Sequence, residues 1–137
     1  MPINPKTNEL KGKEMKKFLL IALIVGAVGF VLIQFIPYGH DHTNPPVVNE
    51  PNWPDAQTRD LVAGACFDCH SNETNYPWYS YVAPVSWLTE HDKQDGREHL
   101  NFSEWTNSQH DVNEIVEVVS SGEMPMPIYA VMHKSAQ

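Results

Sequence analysis

Cys66 and Cys69 are the only cysteines in the chain, and they stand in the run Cys66-Phe67-Asp68-Cys69-His70. Two thiols separated by two residues can add across the two vinyl groups of one porphyrin, and a histidine directly after the second thiol is then placed to coordinate its iron. The chemistry that these residue types point to at this spacing is covalent capture of one haem, as haem c, with His70 as an axial ligand. A zinc site needs further ligands at suitable spacing, and there is no second cysteine pair. A thiol-disulfide pair normally opens a helix within a βαβ pattern, whereas here the apolar-periodic segment precedes the cysteines.

Iron in an electron-transfer protein takes a second axial ligand, because two strong axial bonds hold the geometry nearly fixed between the two oxidation states. Downstream of His70 the candidates are His91, His99, His110, His133, Met124, Met126 and Met132. Gly122-Glu123-Met124-Pro125-Met126-Pro127 is the informative stretch: two thioethers lie in a loop stiffened by prolines, where backbone constraint fixes side-chain direction. Methionine more often fills a core, but Met-Pro-Met-Pro has neither the helical nor the strand period that defines a core face. Met124 is placed ahead of Met126, with a histidine next and an open iron position last.

Together, CFDCHSNETNYPWYSYVAPVSWLTEHDKQDGREHLNFSEW and the later GEMPMPIYAVMH resemble a small haem-binding domain family related to cytochrome c and found in bacterial envelope proteins. The resemblance covers about Trp53 to Lys134. It implies one covalent haem in a mostly helical fold, and its Gly-x-Met-Pro step falls on Met124. Cytochrome c-like domains close with a C-terminal helix that crosses the N-terminal one. Here only Ile128 to Gln137 is left for it, so the expected fold leaves the helix before Cys66 partly uncovered or covered by another subunit.

Supporting roles follow at the next remove. The ring nitrogen of His70 turned away from iron should donate to a carbonyl, which orients the imidazole and raises its basicity; Pro77 or Pro84 is expected to supply it. Tyr76, Trp78, Tyr79, Trp87 and Trp105 are candidates to pack the porphyrin or bond its propionates, as is Arg97, for which a surface ion pair is the plainer role.

The elements that must position these residues read as mostly α. Asp55 to Ala65 forms a helix running into Cys66, with Asp55 at its first turn and Ala56, Leu61, Val62 and Ala65 as its apolar stripe. SNETNYPWYSYVAP after His70 is loop chemistry. A third helix is expected over about Val85 to Glu98, with Leu88, His91 and Asp95 on one side. A fourth, about Gln109 to Ser121, stops at Gly122.

Ahead of this domain, residues 18–36 (FLLIALIVGAVGFVLIQFI) carry no charge. At about 1.5 Å per residue they span roughly 28 Å, close to the hydrocarbon thickness of a bilayer. Lys11, Lys13, Lys16 and Lys17 crowd the N-terminal side, so residues 1–17 form a cytoplasmic tail and the rest faces outward from a bacterial inner membrane. A cleaved signal peptide is the rival. The one small-x-small site, Ala27-Val28-Gly29, lies mid-run, and cleavage there leaves an apolar new terminus. Residues 37–54, with five prolines and a glycine, read as an extended tether reaching about 3 Å per residue. His40-Asp41-His42 within it reads as solvated rather than as a metal site.

Residues 55–137 then form the haem domain. Some 80 residues give a marginal core unless a macrocycle adds to it, so the chain without haem is expected to be poorly folded. From Pro37 onward four basic side chains stand against fifteen acidic ones. That balance argues against nucleic acid and favours a partner with a basic docking face, though acidity also serves solubility. The expected function is a membrane-anchored monohaem c-type cytochrome carrying single electrons between envelope redox proteins, not an enzyme. The alternatives are a haem relay within a larger membrane complex, or a sensor or peroxidase-type protein with an open sixth position.

Overall fold

The computed structural model describes residues 5–106 and 112–136 as two units, Met1–Pro37 and Tyr38–Gln137. The first is one helix, α1 (Pro5–Ile33), which contains a 23-residue stretch, Lys11–Ile33, long and apolar enough to cross a membrane. Amide bonds from Gln34, Phe35 and Ile36 to the carbonyls three residues back carry the coil on to Ile36.

The second unit is helical, with one isolated bridge between Asn49 and Glu104 among the described residues. Its helices are α2 (Ala56–His70), α3 (Val85–His99), α4 (Val112–Ser120) and α5 (Pro127–Met132), with 3-10 turns at Trp78–Tyr81 and Lys134–Ala136. Asp55 caps α2, its carboxylate accepting the Thr58 amide at 2.6 Å. The helix does not stop before the cysteines: it carries Cys66, Cys69 and His70 in its last turns. Its inward stripe differs from the expected one, with Val62, Ala63, Cys66 and Phe67 turned to the core and Leu61 exposed.

That core is small and aromatic. Phe67, Phe102 and Trp105 form it, the Phe67 and Phe102 rings stacking at 5.6 Å and Phe102 with Trp105 at 5.8 Å, and Trp53 closes the group. α2 and α3 approach most closely where Gly96 meets Cys69. A Cβ on residue 96 would stand 2.6 Å from the Cys69 carbonyl oxygen, so only glycine permits this approach.

Residues 38–54 are not the free tether that their prolines suggest. Val48 and Asn49 amides donate to Ser103 O, Asn72 donates to Pro46 O, and Asn44 donates to Thr74 O. Glu50 takes a two-pronged bond from Arg59 at 2.8 and 2.7 Å. His42, expected to be solvated, lies between the rings of Tyr76 and Tyr81 and donates to Ser80 O. Proline deprives a segment of donors, but the remaining amides and side chains still found acceptors on the domain.

At the other end, α4 stops as its glycine implies. Gly122 takes φ +77° and donates to Val119 O, while Glu123 and Met124 amides both reach Val118 O. The beginning of the expected fourth helix, with His110, lies outside the described residues. The C-terminal segment is short but covers part of α2: the last 3-10 turn packs there, and Ser135 Oγ donates to Gly64 O.

Candidate haem site

One cavity of about 440 Å³ opens among α2, α3, α4, the loop after Gly122 and α5. From α2 it takes Ala65, Cys66, Cys69 and His70, where Cys66 stands three residues from Cys69 and four from His70, and Ala65 four from Cys69, so that they line one side of the helix. From α3 it takes Asp92, Asp95, Gly96 and His99, at the same helical step. α4 turns Ile115, Val118 and Val119 toward it, and Met124, Pro125, Met126 and Tyr129 complete the wall. The volume and the largely apolar lining are those of a small-molecule site.

His70 is held at both its backbone and its ring. Its carbonyl accepts the Phe102 amide at 2.8 Å, and its ring Nδ1–H donates to Leu100 O at 3.1 Å. The carbonyl expected from Pro77 or Pro84 thus comes from Leu100, in the strap that leaves α3 and returns along α2. With Nδ1 committed, Nε2 is the nitrogen left for a metal.

Burial pushes both thiols up, Cys69 to about 11 with Asp92 and Asp68 adding to the effect. Burial likewise lifts the Asp92 carboxyl above its usual range. The cavity wall carries Asp92, Asp95, Glu114 and Glu123 but no lysine or arginine.

The expected ligands and packing residues separate cleanly. Cys66, Cys69, His70, Met124 and Met126 all come to the cavity, with His99 also on its wall. The wall does not include His91, Met132 or His133, and Met132 is exposed. Tyr76, Trp78, Trp87 and Arg97 do not line it either. Tyr76 packs on His42 and Lys93, and Trp78 is exposed. Trp87 sits at the start of α3 with a buried indole N–H. Arg97 is not a cavity residue, and among the described residues it forms no ion pair: it donates to Ser71 O, Asn44 Oδ1 and Thr74 Oγ1, pinning the turn after His70. Trp105 belongs to the core. Aromatic type alone did not tell which rings face the cavity, because a period-free loop gives no face.

Three residues not singled out from the sequence join the site. Gly96 sets the crossing of α2 and α3. Asp68, between the two cysteines, accepts the Asn75 amide on one oxygen and the Tyr129 hydroxyl on the other at 2.7 Å. Tyr129, whose hydroxyl burial and the Asp68 bond keep protonated, reaches the cavity from α5. His133 extends this group, with Nδ1 3.6 Å from Asp68 and Nε2 hydrogen-bonded with the Tyr79 hydroxyl.

A helical domain that gathers two thiols, an imidazole with one nitrogen free and two thioethers around an apolar cavity defines a haem-binding protein, and that donor set fits the group. The family model described as "Haem-binding domain" matches residues 28–137, and the chain belongs to that family. No curated protein and no solved structure matches it.

Proposed function

We propose that this is a membrane-anchored, monohaem c-type cytochrome that carries single electrons between envelope redox proteins. The observation that carries the reading is the convergence of Cys66, Cys69, His70, Met124 and Met126 on one cavity, with the His70 ring already oriented by Leu100 O. When bound, haem supplies a one-electron couple at its iron. The chain's own part is to hold, orient and shield. Cys66 and Cys69 would tether the macrocycle by thioethers, and His70 Nε2 and Met124 would hold its iron. Met124 is preferred over Met126 because its amide is bonded to Val118 O, which fixes its backbone to α4. Leu100, Phe102, Ile115, Val118 and Val119 keep water from the site.

The apolar span Lys11–Ile33, with lysines at its N-terminal end, supports an anchor with the haem domain outside the cytoplasm. The carboxylates around the cavity favour a partner presenting a basic face. A second reading, a haem relay within a larger membrane complex, draws on the exposed Val112 and Val116 of α4 and Ile128 and Val131 of α5. Subunits co-purifying in mild detergent would favour it.

The direct test pairs mass spectrometry with absorption spectra of protein made in a host that matures c-type cytochromes. The expected product weighs one haem more than its polypeptide and shows the weak far-red band of methionine-ligated ferric haem. Met124→Ala should lose that band and Met126→Ala keep it. A polypeptide mass alone would overturn covalent attachment, and rapid carbon monoxide binding by the unmutated protein would overturn the closed sixth position.

A further inference from the structure

Residues 74–89, TNYPWYSYVAPVSWLT, form a stretch without a single charged side chain in a strongly acidic domain. Folded, they give the 3-10 turn Trp78–Tyr81 and the first turn of α3, which pack on each other. Four large apolar side chains of this stretch are left in the open: Trp78 at 78% exposure, Tyr81 at 56%, Val85 at 41% and Leu88 at 55%. The haem cavity does not use them, since α3 meets it farther along, from Asp92 to His99.

What covers this patch follows from where the domain's fold begins. Gly39 is buried against the start of α3, at φ +77°, and a Cβ there would stand 2.4 Å from Ser86 O. Three residues on, His42 lies against the Tyr81 ring and donates to Ser80 O. The chain therefore enters the domain on the same turn and helix end that carry the exposed patch. The apolar run that would lie in the bilayer ends at Ile36, and three residues reach at most about 11 Å. A domain fastened at Gly39 has no length of tether with which to hold that end away from the lipid.

We propose that Trp78, Tyr81, Val85 and Leu88 form a seat on the bilayer surface, resting in the headgroup region of the membrane that α1 enters. Tryptophan and tyrosine are the residues favoured at that depth, where an apolar ring is buried and its polar tip stays wet. The absence of carboxylates from this stretch removes the repulsion that an acidic domain would meet at an anionic leaflet. The seat fixes one end of α3 at the lipid, with Leu88 and Gly96 about 12 Å apart along the helix axis, and so limits the tumbling of the haem domain. It rests on the anchor reading above, and the test separates the two.

Full-length haem-loaded protein is reconstituted in nanodiscs containing a phospholipid with a photoactivatable group near its headgroup, and cross-linked peptides are mapped by mass spectrometry. The expected result is labelling of α1 and of the peptide spanning 77–89, the latter falling several-fold in a W78S/L88S double variant while α1 labelling is unchanged. Labelled α1 with a 77–89 peptide no more labelled than α4 would overturn the seat and leave the anchor standing. An unlabelled α1 would overturn the anchor and the seat with it. A 77–89 peptide cross-linked to another protein chain instead of lipid would assign the patch to a protein partner and overturn the lipid seat.

Discussion

At residue 96 the absence of a side chain does as much for the site as the ligands do. Cys69 O and Cys69 Cβ would lie 2.6 and 3.0 Å from a Cβ placed there, and neither belongs to a flexible side chain that can swing away. Gly96→Ala is expected to prise α2 from α3, costing about 1–3 kcal/mol by the usual scale of overpacking, and to lower the haem-to-protein ratio because it displaces Cys69. Urea midpoints and pyridine haemochrome assays on both proteins check this; an unchanged midpoint with full haem content would refute it. That Cys66, Cys69, His70, Met124 and Met126 belong together was legible, the first three from their spacing and the methionines from a backbone that two prolines restrict, and all five line one cavity. Gly96 was not, since a glycine inside a polar helix looks like a weak point until the element crossing it is known. Nor could the sequence tell that Leu100 O would orient His70, because every residue has a carbonyl and only the return path of the chain selects one.

Among the elements, the start of α2, both ends of α3 and the end of α4 stand within a residue or two of where caps and apolar patterning put them, while α2 runs five residues past Ala65 to His70. The words SNET and HLNFSEW were recognisable without their reason being visible. The structure supplies it: Asn72 N–H donates to Ser103 Oγ, Asn101 Nδ2 to Asn72 Oδ1, and Ser103 N–H to Asn101 Oδ1. The two segments exchange hydrogen bonds in a buried patch, and with the Phe102 amide on His70 O they lock the histidine-bearing end of α2. α5 is held differently. Tyr129 bonds Asp68 inside the cysteine run, so the segment that follows the methionines is latched to the segment that bears the thiols. Tyr129→Phe keeps the ring and removes only the hydroxyl. It is expected to cost about 1 kcal/mol and to weaken the far-red methionine band or make it more heat-sensitive. A band that melts at the parent's temperature would dismiss the latch. Residues 38–54 were misread as a tether because proline content reports on regular structure, not on whether a segment packs.

For the molecule as a whole, that misreading matters most at Glu50. Arg59 bonds hold the Glu50 carboxyl below its ordinary value of 4.5, outweighing burial, and Arg59 also meets Glu73 at 2.7 Å in the loop after the haem motif. A carboxylate with a lowered folded pKa stabilises the fold fully above its unfolded value and ceases to do so as pH falls through the folded one, because the unfolded chain binds the proton first. Stability should therefore decline as pH drops below about 4.5, and Glu50→Gln should flatten that decline while costing on the order of 1 kcal/mol near neutrality. Urea titrations of both proteins across that range give the slopes, and parallel curves would exclude the clamp. The larger dependence is on the cofactor. Phe67, Ala83, Phe102 and Trp105 are the buried apolar residues among those described, while Val118 and Val119 of α4 line the cavity and Ile115 lies between it and the aromatic core. A domain of this size buries too little by itself to offset the entropy of ordering its chain, and on the function proposed above a macrocycle tied at Cys66 and Cys69 would supply the missing contact surface. The Cys66→Ala/Cys69→Ala protein should then lose most of α4 and α5 first, with α2 and α3 held longer by the aromatic stack and the Asn72–Asn101–Ser103 network. Hydrogen exchange resolved by peptide would show fast exchange over 112–132 and slower exchange over 56–70 and 85–99. Protection over 112–132 equal to that of the haem-loaded protein would mean that the polypeptide alone builds this wall.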